Sequence, residues 1–204
     1  MTKRVIIAPH VDDDVLGCGG ILDENCFVIY CGIDETHISD RPDLKERLQE
    51  IVDVQNITNH SCEILSNKVN NYNQNDLIGD FERLINEHTP EEVYLPHPSY
   101  NQDHKAVYDA AMVALRPHDK NHFVNKVFVY EQPHMLFWDN SGVDFKPNYF
   151  VPIDIDKKVK VYETMKSQVR SFRSPEYLRA IGKLRGGQSN CEYAEAFQIL
   201  RCVE

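Results

Sequence analysis

One imidazole and three consecutive carboxylates, His10 and Asp12-Asp13-Asp14, follow directly on the apolar run Val5-Ile6-Ile7-Ala8-Pro9. Adjacent acids repel one another and make poor core material, so their place after a buried-looking strand asks for a counter-charge. A divalent metal ion would supply it. His10 and Asp13 are three residues apart, so a turn entering a helix can aim both at one point. Imidazole nitrogen and carboxylate oxygen each bind zinc at about 2 Å, and a catalytic zinc commonly has three protein ligands and an open water position. The third ligand must come from another strand end, where His97 and His104 are available. His104 follows Asp103 at the opening of a helical stretch, which fixes its backbone better than a loop would. Alone it reads as a surface histidine; together with His10 and Asp13 it completes a site. Asp12 is placed to take a proton from a metal-activated water, and Asp14 suits a cap of the following helix or a partner to the ligands.

The elements that must position these groups alternate along the chain. Short apolar runs at 4–8, 26–31, 62–65, 93–95 and 126–130 read as buried strands. Between them, apolar residues recur with helical period over 43–58, 77–85 and 106–115, and Pro90 and Pro117 close the last two. Residues 149–155 read as extended, 157–172 as a helix and 175–184 as a shorter helix before a turn at Arg185-Gly186-Gly187. Residues 194–203 suit a strand or a helix. This alternation predicts an α/β fold, a Rossmann-like three-layer α/β/α sandwich around a mostly parallel sheet. In such sheets ligands bind beyond the carboxyl ends of the strands, which makes the loops His10–Asp14 and His97–His104 neighbours. No composition break or repeat divides residues 1–204, so one domain is expected.

Composition narrows the function classes. A formal charge of −10 argues against a nucleic-acid or anionic-membrane surface. No stretch approaches the roughly 18 apolar residues of a membrane span, and the short N-terminus before the first strand is no signal peptide, so a cytoplasmic location is expected. The six cysteines include no C-x-x-C pair, which disfavours a cysteine zinc site and suits reduced, mostly buried thiols.

Pro9-His10-Val11-Asp12-Asp13-Asp14, with Leu16-Gly17 and Gly19-Gly20, resembles the opening H-P-D-D-E motif and glycine pair of the LmbE/PIG-L family of zinc-dependent N-deacetylases. Asn101-Gln102-Asp103-His104 resembles that family's second motif, H-P-D-H. Ser167-Gln168 resembles its S-Q element, and Arg185-Gly186 with Tyr193-Ala194-Glu195-Ala196-Phe197 its closing one, all in family order. The resemblance implies His10, Asp13 and His104 as ligands of Zn2+, Asp12 as general base, and a small N-acetylated substrate, commonly an N-acetylglucosamine-like sugar. It leaves a homo-oligomer open. Three departures stand out: Asp14 replaces Glu, Asn101 replaces a histidine credited with oxyanion or acid duty, and only Ile21–Asn25 separate Gly20 from the second strand. Asn can donate a hydrogen bond but cannot shuttle a proton at neutral pH, so Tyr100 or His134 is expected to substitute. The short connection predicts a thin sheet face. Asp103 is expected to orient a neighbouring donor or His104, and Arg185 either meets an anionic substrate group or belongs to a turn. Trp138 suits stacking on a sugar or packing in a core or interface.

Two other readings compete. Asp12-x-Asp14-Val15-Leu16 after a strand also resembles the D-x-D-x-V-L loop of magnesium-dependent haloacid-dehalogenase-type phosphatases, which needs no His10 and leaves the later motifs unexplained. The Asn101 departure keeps open a non-catalytic metal-binding member of the deacetylase family.

Overall fold

A computed structural model describes residues 2–39, 42–136, 138 and 144–204. In chain order the elements are β1 (Arg4–Ala8), α1 (Asp13–Cys18), β2 (Cys26–Asp34), α2 (Leu44–Thr58), β3 (Ser61–Lys68), α3 (Gln74–His88) and β4 (Glu92–Pro96). They continue with α4 (Gln102–Ala114), β5 (Lys126–Tyr130), β6 (Tyr149–Pro152), α5 (Ile155–Thr164), α6 (Pro175–Ser189) and β7 (Ala194–Cys202). A single 3-10 turn, Pro133–Leu136, follows β5.

The strands form one 7-stranded sheet in the order β3-β2-β1-β4-β5-β7-β6. The first five in that order run parallel; β7 is antiparallel to both β5 and β6. Strand β1 is buried on both faces, as its uninterrupted apolar run requires. Ile6 and Ala8 join one core with α1, α2, α5 and α6; Val5 and Ile7 join a second with α3 and α4. The chain winds outward from β1 through β2 to β3, then returns to place β4 on the other side of β1. That reversal opens a crevice at the carboxyl ends of β1 and β4.

Three sequence expectations change and one open choice is settled. The helix expected over 157–172 ends at Thr164, because Met165 and Gln168 leave it in a turn that sends the Ser167 amide to Glu50. Arg185-Gly186-Gly187 is no turn but the last part of α6, where a Cβ on Gly186 would lie 2.5 Å from the Glu192 carbonyl oxygen; the glycine permits close packing rather than a bend. Residues 194–202 are a strand. The sheet face beside α1 is not thin, since α5 covers it: Lys158 Nζ donates to the Leu16 carbonyl at 2.8 Å and pairs with Glu195 at 2.6 Å. Glu195 also accepts the Gly20 amide at 2.7 Å, so the closing motif braces the end of the opening one. All six cysteines are free thiols, three of them buried. Among the described residues no helix is long and apolar enough to cross a membrane.

Candidate metal centre

The opening motif leaves β1 at Ala8, turns at Pro9 and enters α1 at Asp13. The second motif leaves β4 and enters α4 at Gln102, earlier than the periodicity suggested, because Asn101 caps the helix: its Oδ1 accepts the Asp103 amide at 2.8 Å. His104 thus sits in a helical first turn, which fixes its direction.

These two loops bring His10, Asp13 and His104 together, with one ligand atom of each within 4.8 Å of the others. His10 Nδ1 and His104 Nε2 both lie 3.2 Å from Asp13 Oδ2. Two ligands about 2.0–2.1 Å from one tetrahedral zinc stand roughly 3.3 Å apart, so this spacing fits a shared ion. The remaining His10 nitrogen, Nε2, lies 3.0 Å from Asp103 Oδ2, which also accepts the Asn70 amide at 2.7 Å. A carboxylate behind a ligating imidazole fixes its ring and tautomer. Asp103 therefore orients His10 rather than His104.

The electrostatics agree with a cation site. Burial alone would lower His10, but the Asp103 and Asp13 carboxylates outweigh it and raise its pKa to about 10. Burial alone would raise Asp13, yet His104 and His10 hold it well below the usual carboxylate range. Two imidazoles and a carboxylate held this close compete for positive charge, and a divalent ion can take the place of the proton.

Asp12 and the triad line a cleft of about 180 Å³ together with Tyr100, Asn101 and His134. Asp12 is the N-cap of α1, with φ 154°, on the positive-φ side that side-chained residues rarely adopt. Its Oδ2 pairs with Arg173 Nη1 at 2.7 Å, an interaction the sequence reading missed. Tyr100 is half exposed, its ring centroid 5.2 Å from that of His134, and the His134 ring centroid is 5.8 Å from that of His104.

Other predicted residues lie elsewhere. Arg185 is buried against Glu131 and away from this cleft. His97 is buried with its ring 5.9 Å from that of Phe145, outside the triad. Trp138 is exposed, not core. Asp14 does not cap α1; it is fully buried, accepts the Tyr30 hydroxyl at 2.8 Å, and burial pushes its pKa up to about 7. A phosphatase loop would need Asp12 and Asp14 to share a cation, and only Asp12 lines the cleft.

No family model matches the sequence, and neither does any curated protein sequence. Solved structures share the fold end to end. The conserved protein TT1542 from Thermus thermophilus matches with a TM-score of 0.82 at 21% identity, over 100% of this chain and 97% of that one. N,N'-diacetylchitobiose deacetylase from Pyrococcus horikoshii, in complex with its inhibitor MPG, matches with 0.76 at 20% identity, over 98% and 84%. GalB, the 4-carboxy-2-hydroxymuconate hydratase from Pseudomonas putida, matches with 0.76 at 20% identity, over 100% and 99%. At these identities the likeness establishes the fold, and one of these proteins is a deacetylase while another is a hydratase. Function has to be argued from the site.

Proposed function

We propose that this chain is a zinc-dependent N-deacetylase of the LmbE/PIG-L type, removing the acetyl group from an N-acetylglucosamine-like sugar or a related small molecule. The observation that carries the reading is the convergence of His10, Asp13 and His104 in a cleft that Asp12 also lines. An ion held by that triad supplies Lewis acidity, polarising an amide carbonyl and lowering the pKa of a water toward neutrality. The chain's own groups do the rest. Asp12 accepts the proton of the attacking water. Asn101, its carbonyl engaged in capping α4, offers its amide N–H to the developing oxyanion, a contribution of a few kcal/mol per donor. His134 can hand a proton to the leaving amine, with Tyr100 beside it. Asp103 holds His10, and Arg185 serves the fold through Glu131.

A hydratase on the same fold also activates water, but the ordered resemblance of the four motifs is to deacetylases, which favours the amide. The test is acetate release from a panel of N-acetylglucosamine derivatives by zinc-loaded protein. Asp12→Asn is expected to keep its metal and lose about 10²–10⁴-fold in rate. Equal inertness of wild type and variant across the panel would instead favour a non-catalytic metal-binding protein.

A further inference from the structure

Helix α2 turns an unexpected face inward. It buries Arg47 and Glu50, 3% and 4% exposed, while Leu44, Leu48 and Val52 stand 43%, 41% and 46% exposed. Burying an ion pair and leaving three aliphatic side chains in water runs against the hydrophobic gain, so the pair has another task. Arg47 Nη2 donates to the Val11 carbonyl at 2.7 Å, and Nη1 donates to Glu50 Oε2 at 3.1 Å. Glu50 in turn accepts the Ser167 amide and hydroxyl, both at 2.8 Å. Gln168 Nε2 donates to Ser167 Oγ at 2.6 Å, and Gln168 Oε1 accepts Arg173 Nη2 at 3.0 Å. Arg173 Nη1 then reaches Asp12 Oδ2 at 2.7 Å. The chain of contacts starts at the carbonyl preceding Asp12 and returns to the Asp12 carboxylate.

We propose that Arg47 and Arg173 are positioning residues, and that the circuit from Arg47 through Glu50, Ser167 and Gln168 to Arg173 clamps Asp12 in the orientation that proton transfer requires. The backbone gives the reason. With φ at 154°, Asp12 occupies a conformation that must be imposed by its surroundings, and Arg47 grips the peptide that joins it to Val11. Arg173 fixes the side chain by occupying one carboxylate oxygen. Ser167-Gln168, outside α5, thereby acquires a role as the bridge between the two arginines.

The catalytic consequence rests on the deacetylase reading; the mechanical one does not. Both are read on the double variant Arg47→Met/Glu50→Leu, which replaces the buried pair with apolar side chains of similar size; Glu35, whose Oε2 stands 3.8 Å from Arg47 Nε, gives up that longer contact. Thermal stability is expected to fall modestly, because the Val11 carbonyl and Ser167 lose hydrogen-bond partners, with metal content unchanged. Amide exchange at Asp12 and Asp13, whose N–H groups bond the His10 carbonyl at 3.1 and 3.4 Å, is expected to be faster by at least ~10-fold. In acetate release kcat at saturating substrate is expected to fall about 10–100-fold; because Arg47 and Arg173 also line the cleft, kcat rather than KM reads the misplacement. Arg173→Met should show the same exchange and kcat effects, and Arg173→Lys should restore part of kcat. If the double variant does not fold, Arg173→Met carries the exchange measurement alone. Unchanged exchange in the folded variants would overturn the clamp. Wild-type protein inert on every N-acetyl probe would sink the deacetylase reading only, leaving exchange to decide the clamp.

Discussion

Asp103 meets the triad at His10, and its Oδ2 holds both His10 Nε2 and the Asn70 amide. Asp103→Asn keeps the shape and removes the charge that favours the right His10 tautomer. Zinc affinity, measured by competition with a chelator, is expected to drop about 10–100-fold; an unchanged affinity would mean that Asp13 alone orients the ring. At this scale the sequence was most legible where chemistry is local. His10, Asp12 and Asp13 are crowded into one turn, and crowded charge is a signal in itself. His104 needed a second motif. Arg47 and Arg173 were missed for physical reasons: an Arg and a Glu three apart on a helix read as a solvated face, and Arg173 lay where a helix was expected to have just ended. The clue that was available is that α2 carries two apolar stripes, Leu44-Leu48-Val52 and Ile51-Val54, and the second, which faces the core, carries Arg47 and Glu50 inward with it.

Helix α1 is one of the shortest elements and is tightly held. All its residues are buried, and Gly17 packs so closely on β5 that a Cβ would lie 2.3 Å from Tyr130 Cδ2. Alanine favours a helix over glycine by about 1 kcal/mol, but overpacking a rigid core costs about 1–3 kcal/mol. Tyr130 is fully buried and bonded to the Ile7 carbonyl at 2.9 Å, so it cannot yield and the clash wins. Gly17→Ala is therefore expected to lower stability by up to about 2 kcal/mol in urea denaturation. A gain in stability would show that the ring moves aside. Element types were readable because the parallel strands are short apolar runs, and β5 in particular matches its expected limits, Lys126–Tyr130. The ends were less so. The stop of α5 at Thr164 depends on Glu50, over a hundred residues earlier, drawing Ser167 away from the helix, and no local pattern encodes that.

Across the whole molecule the sheet order places the site, since β1 and β4 are where the winding reverses and where the two motifs meet. The alternation of strands and helices made this crossover legible; the antiparallel insertion of β7 between β5 and β6 was not, because its pairing is long-range. A further property belongs to this scale. His60, buried at the junction of α2 and β3, lies 2.7 Å from Thr58 Oγ1, and burial lowers its pKa to about 4. An unfolded histidine titrates near 6.5, so between about pH 6.5 and pH 4 the unfolded chain binds a proton that the folded one refuses. Stability present at neutral pH is accordingly lost as pH falls through that window, by up to about 2 kcal/mol between pH 7 and pH 5. His60→Phe removes this contribution. The wild-type drop in unfolding free energy from pH 7 to pH 5 is expected to exceed that of the variant by that amount, and equal drops would contradict a buried neutral His60.

The central expectation is that three side chains from two distant loops hold one ion. Metal analysis of protein equilibrated with zinc and freed of excess tests it most directly, on wild type, Asp12→Asn and His104→Ala together. The prediction is about one zinc per chain in the first two and loss of tightly held zinc in the third. Wild-type protein without zinc, or His104→Ala with its zinc intact, would contradict it.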